Sequence, residues 1–130
     1  MPMILKKVLL VEDDPDIQKV AKMSLKFAGV NDVLVVENGE ECLAVAGREK
    51  PDVILLDVMM PKMDGYEACR RLKEDPETKN IPIIFLTAKA QQFEVKKGMS
   101  VGACGYLTKP FNPMTLHAEI VALLDQAQKS

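Results

Sequence analysis

Five short apolar runs alternate with five stretches whose apolar residues recur every three or four positions. The runs read as strands and the intervening stretches as helices. The first run, over residues 6–11, contains Val8-Leu-Leu-Val11. Asp14-Pro15 then supplies an N-cap and a first-turn proline. Ile17, Val20, Ala21, Ser24, Leu25 and Ala28 hold helical spacing up to Gly29, which closes the helix. Residues 33–36 form the second strand. Asn38-Gly-Glu-Glu41 resembles a capping box and opens a helix to about residue 49. Val53-Ile-Leu-Leu-Asp57 is the most apolar strand and is expected at the sheet centre. Asp64-Gly-Tyr-Glu67 repeats the capping pattern, and that helix ends near Asp75-Pro76, because proline disfavours a helical residue before it. Residues 81–87 form the fourth strand, with Pro82 near its start. A polar, glycine-flanked helix is expected from Gln91 to Val101. Gly105-Tyr-Leu-Thr108 is the fifth strand. Asn112-Pro113 caps a last helix striped by Leu116, Ile120, Leu123, Leu124 and Ala127.

Near-continuous apolar strands alternating with helices imply an α/β fold, a parallel sheet covered on both faces. Right-handed crossovers leave few topologies for a (βα)5 chain, and the flavodoxin-like order 2-1-3-4-5 is the natural one. In such a sheet, ligands bind in the crevice beyond the carboxyl ends of the strands.

With 130 residues, 48% apolar and 28% charged, the chain fits one globular domain. Its net charge of −2 argues against a broad grip on nucleic acid. No apolar run approaches the roughly 20 residues needed to span a bilayer. The first strand follows the N-terminus so closely that a signal peptide has no room. Cys42, Cys69 and Cys104 have no CxxC spacing and read as small buried hydrophobes of a reducing cytoplasm. His117 has no partners for a zinc site and reads as a helix-surface residue.

Chemistry concentrates at the strand ends. Glu12-Asp13-Asp14 follows the first strand, Asp57 ends the third, Thr87-Ala88 the fourth, and Lys109-Pro110 follows the fifth. Three adjacent acids repel one another unless something offsets their charge. Asp14 is taken up as the helix N-cap, which leaves Glu12 and Asp13 for a metal ion. Mg2+ is held by one or two carboxylates and keeps several waters, so this set suffices. Strands 1 and 3 are neighbours in the expected topology, so Asp57 should face Glu12 and Asp13. Pro110 makes a cis peptide accessible after Lys109.

The segments Val8-Leu-Leu-Val-Glu-Asp-Asp14, Asp57-Val-Met-Met-Pro-Lys-Met-Asp-Gly65, Ile83-Ile-Phe-Leu-Thr-Ala88 and Gly105-Tyr-Leu-Thr-Lys-Pro-Phe111 together resemble the receiver domain of two-component response regulators, the CheY-like family. That family is itself a standard example of the 2-1-3-4-5 order, so the order belongs to the resemblance rather than standing apart from it. The resemblance implies that Asp57 accepts a phosphoryl group and that Glu12, Asp13, Asp57 and the Met59 backbone carbonyl hold Mg2+ or Mn2+. It implies that Asp13 is a direct ligand and that Glu12 acts through water. It makes Thr87 the switch hydroxyl, Tyr106 the switch aromatic and Lys109 the partner of the phosphoryl group. The bulky Met59 leaves the phosphoryl lifetime open.

The expectation is therefore a single receiver domain over 1–130, without an effector domain, in a bacterial or archaeal cytoplasm. It would take phosphate from a sensor histidine kinase or phosphotransfer protein. It would then act on a target protein through helix 4, strand 5 and helix 5, with helix 4 a mobile element. It would not be an enzyme beyond self-phosphorylation from small donors and slow autodephosphorylation. A module cut from a longer regulator, or a scaffold that is never phosphorylated, remain alternatives. An aspartate-based phosphohydrolase is disfavoured because Asp57-Val58-Met59 lacks the second acid of an Asp-x-Asp pattern. A flavodoxin-like cofactor site is disfavoured because Glu-Asp-Asp-Pro repels phosphate where such sites attract it.

Overall fold

The computed structural model describes residues 5–60, 62–88 and 92–129. Its elements alternate as β1 (Lys7–Val11), α1 (Pro15–Phe27), β2 (Asp32–Val36), α2 (Gly39–Glu49), β3 (Val53–Asp57), α3 (Gly65–Glu74), β4 (Ile83–Thr87), α4 (Gln92–Ser100), β5 (Gly105–Thr108) and α5 (Leu116–Lys129). The strands form one parallel sheet in the order β2-β1-β3-β4-β5. The central position of β3 follows from its sequence, since all five of its residues are buried.

Alternation along each strand feeds two cores. Val8, Leu10, Val53, Leu55, Ile84, Leu86 and Leu107 pack with Ala21 and Leu25 of α1 and Leu116, Ile120 and Leu124 of α5. Leu9, Val11, Ile54, Leu56, Ile83 and Phe85 pack on the other side with Cys42 and Ala46 of α2 and Ala68, Cys69 and Leu72 of α3. Burial on both faces is what the unbroken apolar runs require. The three cysteines are free, Cys42 and Cys69 buried and Cys104 half-buried. His117 lies half-buried on α5.

The caps differ in detail from their sequence signatures. Asp14 accepts the N–H groups of Asp16 and Ile17, as an N-cap should. Asn38 accepts the Glu41 N–H at 2.9 Å, but the Glu41 carboxylate reaches the N–H of Glu37 and the Asn38 amide, so the box closes one residue early. Asp64 accepts the Glu67 N–H, while the Glu67 carboxylate turns outward to Arg70 and Arg71. Those two guanidinium groups hold the Glu67 carboxyl down at about 2.

Three boundaries are corrected. β4 starts at Ile83 rather than residue 81, because Pro82 has no N–H to give a ladder; its carbonyl instead accepts the Ile54 N–H at 3.0 Å. α5 starts at Leu116, after a turn over residues 113–115 in which Asn112 Oδ1 caps the Met114 N–H. Ala127 is exposed, so the apolar stripe ends at Leu124. The expected helix 4 corresponds to α4, and Gln91 lies outside the described residues. Among the described residues, no helix is long and apolar enough to cross a membrane.

Candidate functional site

β1, β3 and β5 bring the predicted acids and lysine to one edge of the sheet. The Glu12 N–H still donates to the Val36 carbonyl, so β1 holds its backbone in line with β2. Its side chain turns inward and is 1% exposed. Asp57 is the last residue of β3, paired with Leu86 in the β4 ladder, and is 2% exposed. Asp13 is exposed. Carboxylate oxygens of Glu12, Asp13 and Asp57 all lie within 4.8 Å of one another. Such a set of oxygen donors could hold a divalent metal ion, and hard donors of this kind suit hard cations best.

Lys109 enters this cluster from the far side. Its Nζ lies 2.9 Å from Glu12 Oε1 and 3.2 Å from Asp57 Oδ1. The Lys109 N–H donates to the Thr87 carbonyl at 2.7 Å, so the turn after β5 is tied to the end of β4. The Lys109–Pro110 peptide is cis, the form the sequence made accessible.

Electrostatics follow from this geometry. Burial pushes the Glu12 carboxyl above the usual carboxylate range, aided by the Asp57 charge and opposed by bonds from Lys109 and the Asp14 N–H. Burial works against the Lys109 ammonium, but the bond to Glu12 and the charge of Asp57 outweigh it and raise its pKa. The lysine therefore stays cationic between two carboxylates.

Thr87 ends β4 beside Thr108, half-buried, and its position two residues after Phe85 puts both on the α3 side of the sheet. Tyr106 pairs with Phe85 and packs at the margin of the same core. It borders an open cavity of about 230 Å3 shared with Thr108, Phe111 and Glu119.

Two contributions were not read from sequence, one of them from Met59, which was expected to act through its carbonyl. The Met59 N–H donates to Asp57 Oδ1 at 3.1 Å, which orients the carboxylate. Gly65 opens α3 so close to β3 that a side-chain carbon there would strike the Asp57 carbonyl and lie 3.0 Å from the Val58 Cα. Asp64-Gly65 was legible as a helix start, but not as a close approach to the acid.

Comparison with known proteins agrees with this fold. The sequence profile of the response regulator receiver domain matches residues 8–121. The chain is 41% identical over 123 residues to the alkaline phosphatase synthesis transcriptional regulatory protein PhoP of Bacillus subtilis, covering 95% of this chain and 50% of that protein. It is 43% identical over 122 residues to the phosphate regulon transcriptional regulatory protein PhoB of Pseudomonas aeruginosa, covering 94% and 53%. The chain thus spans about half the length of these curated relatives. Among solved structures, chemotaxis response regulator CheY4 of Vibrio cholerae superposes with a TM-score of 0.85 at 36% identity, covering 92% of this chain and 99% of that one. The receiver domain of the sensor histidine kinase PA1611 of Pseudomonas aeruginosa, solved with a magnesium ion in its active-site cleft, gives 0.80 at 35% identity, covering 91% and 95%.

Proposed function

The chain belongs to the response regulator receiver family, and on that footing we propose that Asp57 is its phosphoryl acceptor. The observation that carries this reading is the Lys109 ammonium, 3.2 Å from the Asp57 carboxylate inside an acidic cluster. Phosphoryl transfer asks a protein for positioning and charge neutralisation more than for covalent help. An Asp57 oxygen attacks the phosphorus of a phosphohistidine. A P–O bond forms, the P–N bond breaks, and the nitrogen keeps the electron pair. Glu12, Asp13, Asp57 and the Met59 carbonyl are the groups that would hold Mg2+ or Mn2+. Such an ion, when bound, neutralises charge on the transferring oxygens.

Lys109 exchanges part of its contact with Glu12 for the new phosphoryl oxygens. Those oxygens carry roughly −1.5 to −2 charges by analogy with other phosphoresidues. Thr87 donates its hydroxyl to one of them, and Tyr106 turns into the space this vacates. The surface of α4, β5 and α5 thereby shifts between two packings, by no more than the difference in interaction between the states.

The donor's docking face lies next to the cleft. Pro110 and Phe111 line a small depression with Asp16, Ile17 and Val20. Beyond it, Val20, Met23, Phe27, Pro113 and Met114 surround an apolar depression of about 380 Å3. Phe27 is 92% exposed and Met114 85%, an amount of bare apolar surface that suits a protein partner. The partners are a phosphohistidine protein on this side and a target protein on the α4, β5 and α5 side. The domain works alone or joined to an output domain, in a bacterial or archaeal cytoplasm.

The test is incubation with acetyl phosphate and Mg2+ followed by intact mass. One added phosphate is expected, absent without the cation and absent in Asp57→Asn. Labelling of Asp57→Asn at the wild-type rate overturns the assignment.

A further inference from the structure

Two of the contacts that seat α4 on the rest of the molecule meet at one aromatic pair. Tyr66, in the first turn of α3, stacks on Phe85 of β4 with ring centres 5.1 Å apart and a tilt of 54°. The Lys97 ammonium of α4 lies 4.4 Å above the centre of the same Tyr66 ring. The next residue, Gly98, is buried against Phe85. A side-chain carbon at Gly98 would come within 2.9 Å of the Phe85 ring, so only glycine lets the helix sit this close. Phe85 in turn lies two residues before Thr87 on the same face of β4, and opposite Tyr106 in β5.

We infer that Lys97 and Tyr66 form a latch that holds α4 in the arrangement belonging to the unphosphorylated site. The inference rests on the switching role proposed above for Thr87 and Tyr106. In the structure the latch is closed while the Lys109 ammonium is fully engaged by the Glu12 and Asp57 carboxylates. A movement of the Thr87 end of β4 and of Tyr106 disturbs Phe85, the floor on which both Gly98 and Tyr66 rest. α4 then slides on that floor, and Lys97 leaves the ring. Because coupling between two sites is reciprocal, a contact that phosphorylation breaks must itself oppose phosphorylation. Tyr66 and Lys97 are thus positioning residues, remote from the reacting atoms.

Acetyl phosphate labelling of the whole chain tests this. Tyr66→Leu and Lys97→Met should each speed labelling by about 2–5-fold, the range of an exposed cation–π contact. The double variant should be no faster than either single one. Lys97→Arg keeps the cation, so it should label at the wild-type rate. A purely structural role would change thermal stability without this pattern in the rates. Unchanged or slower labelling in Tyr66→Leu and Lys97→Met, or additive effects in the double variant, overturns the latch. Failure of the wild-type chain to label at all would instead overturn the phosphoacceptor reading on which the latch rests.

Discussion

Lys109 and Glu12, 97 positions apart in sequence, form a part-buried ion pair at 2.9 Å. The pair joins the turn after an edge strand to the end of an interior one, and Asp57 shares the same ammonium at 3.2 Å. Lys109→Met leaves two enclosed carboxylates facing each other. Breaking a buried pair from one side costs about 3–5 kcal/mol. The lysine side chain is 16% exposed, which places the expected loss near the lower end of that range. Urea unfolding in the presence of a chelator measures it. Adding Asp57→Asn to Lys109→Met should recover part of the loss, and no recovery would show that repulsion is not its source.

Cation binding should strengthen as pH rises. Burial raises the Glu12 pKa most, with the Lys109 bond opposing it. A carboxyl whose folded pKa is raised keeps a proton that the unfolded chain has released. Its contribution to stability is therefore present below the ordinary carboxylate range and is lost as pH climbs through the raised value. A cation competes for the ionised form and gains over the same window. The thermal shift produced by Mg2+ should grow as pH rises above the ordinary carboxylate range and level off once Glu12 is ionised. A flat profile would count against Glu12 facing the ion.

Adjacent acids of the first loop should separate by assay. Asp14 accepts two helix N–H groups, so Asp14→Ala should cost about 1 kcal/mol in unfolding experiments and leave Mg2+ affinity nearly unchanged. Asp13 is exposed and belongs to the carboxylate cluster. Asp13→Asn should weaken Mg2+ binding at least tenfold and barely move the unfolding midpoint. The reverse pattern would exchange their roles.

Gly65→Ala should impair both folding and labelling. The added carbon meets backbone on two sides, the Asp57 carbonyl and the Val58 Cα, neither of which can swing aside. Overpacking of this kind costs about 1–3 kcal/mol. The displaced Asp57 should also slow acetyl phosphate labelling, whereas Gly47→Ala, with nothing within 4 Å of the new carbon, should do neither.

The strand pattern carried most of this architecture because burial on both sheet faces leaves a long apolar signature. β3 and β5 have the boundaries that the sequence predicts, bounded by Asp57 and by glycine. The start of β4 was misread because apolar Ile81 continues the pattern while Pro82 cannot join a ladder. Asn112 was identified correctly as a cap: its side chain caps the turn over residues 113–115, and its carbonyl accepts the Leu116 N–H where α5 begins. Glu12, Asp13, Asp57 and Lys109 meet at one sheet edge because topology alone brings these strand ends together. Contacts between helices were not legible, because nothing in the spacing of Tyr66 and Lys97 says that one covers the other. Gly65 and Gly98 share that limit, since closeness to a neighbour leaves no periodic trace.

Asp57 is a rung of the β3–β4 ladder, fixed between two interior strands rather than hung from a loop. If Asp57 is the acceptor, a residue mounted so firmly could not yield when charge was loaded onto it. The disturbance would have to be absorbed by whatever nearby is least well moored, and that immobility at the centre is what would turn a local chemical event into a change of outer shape.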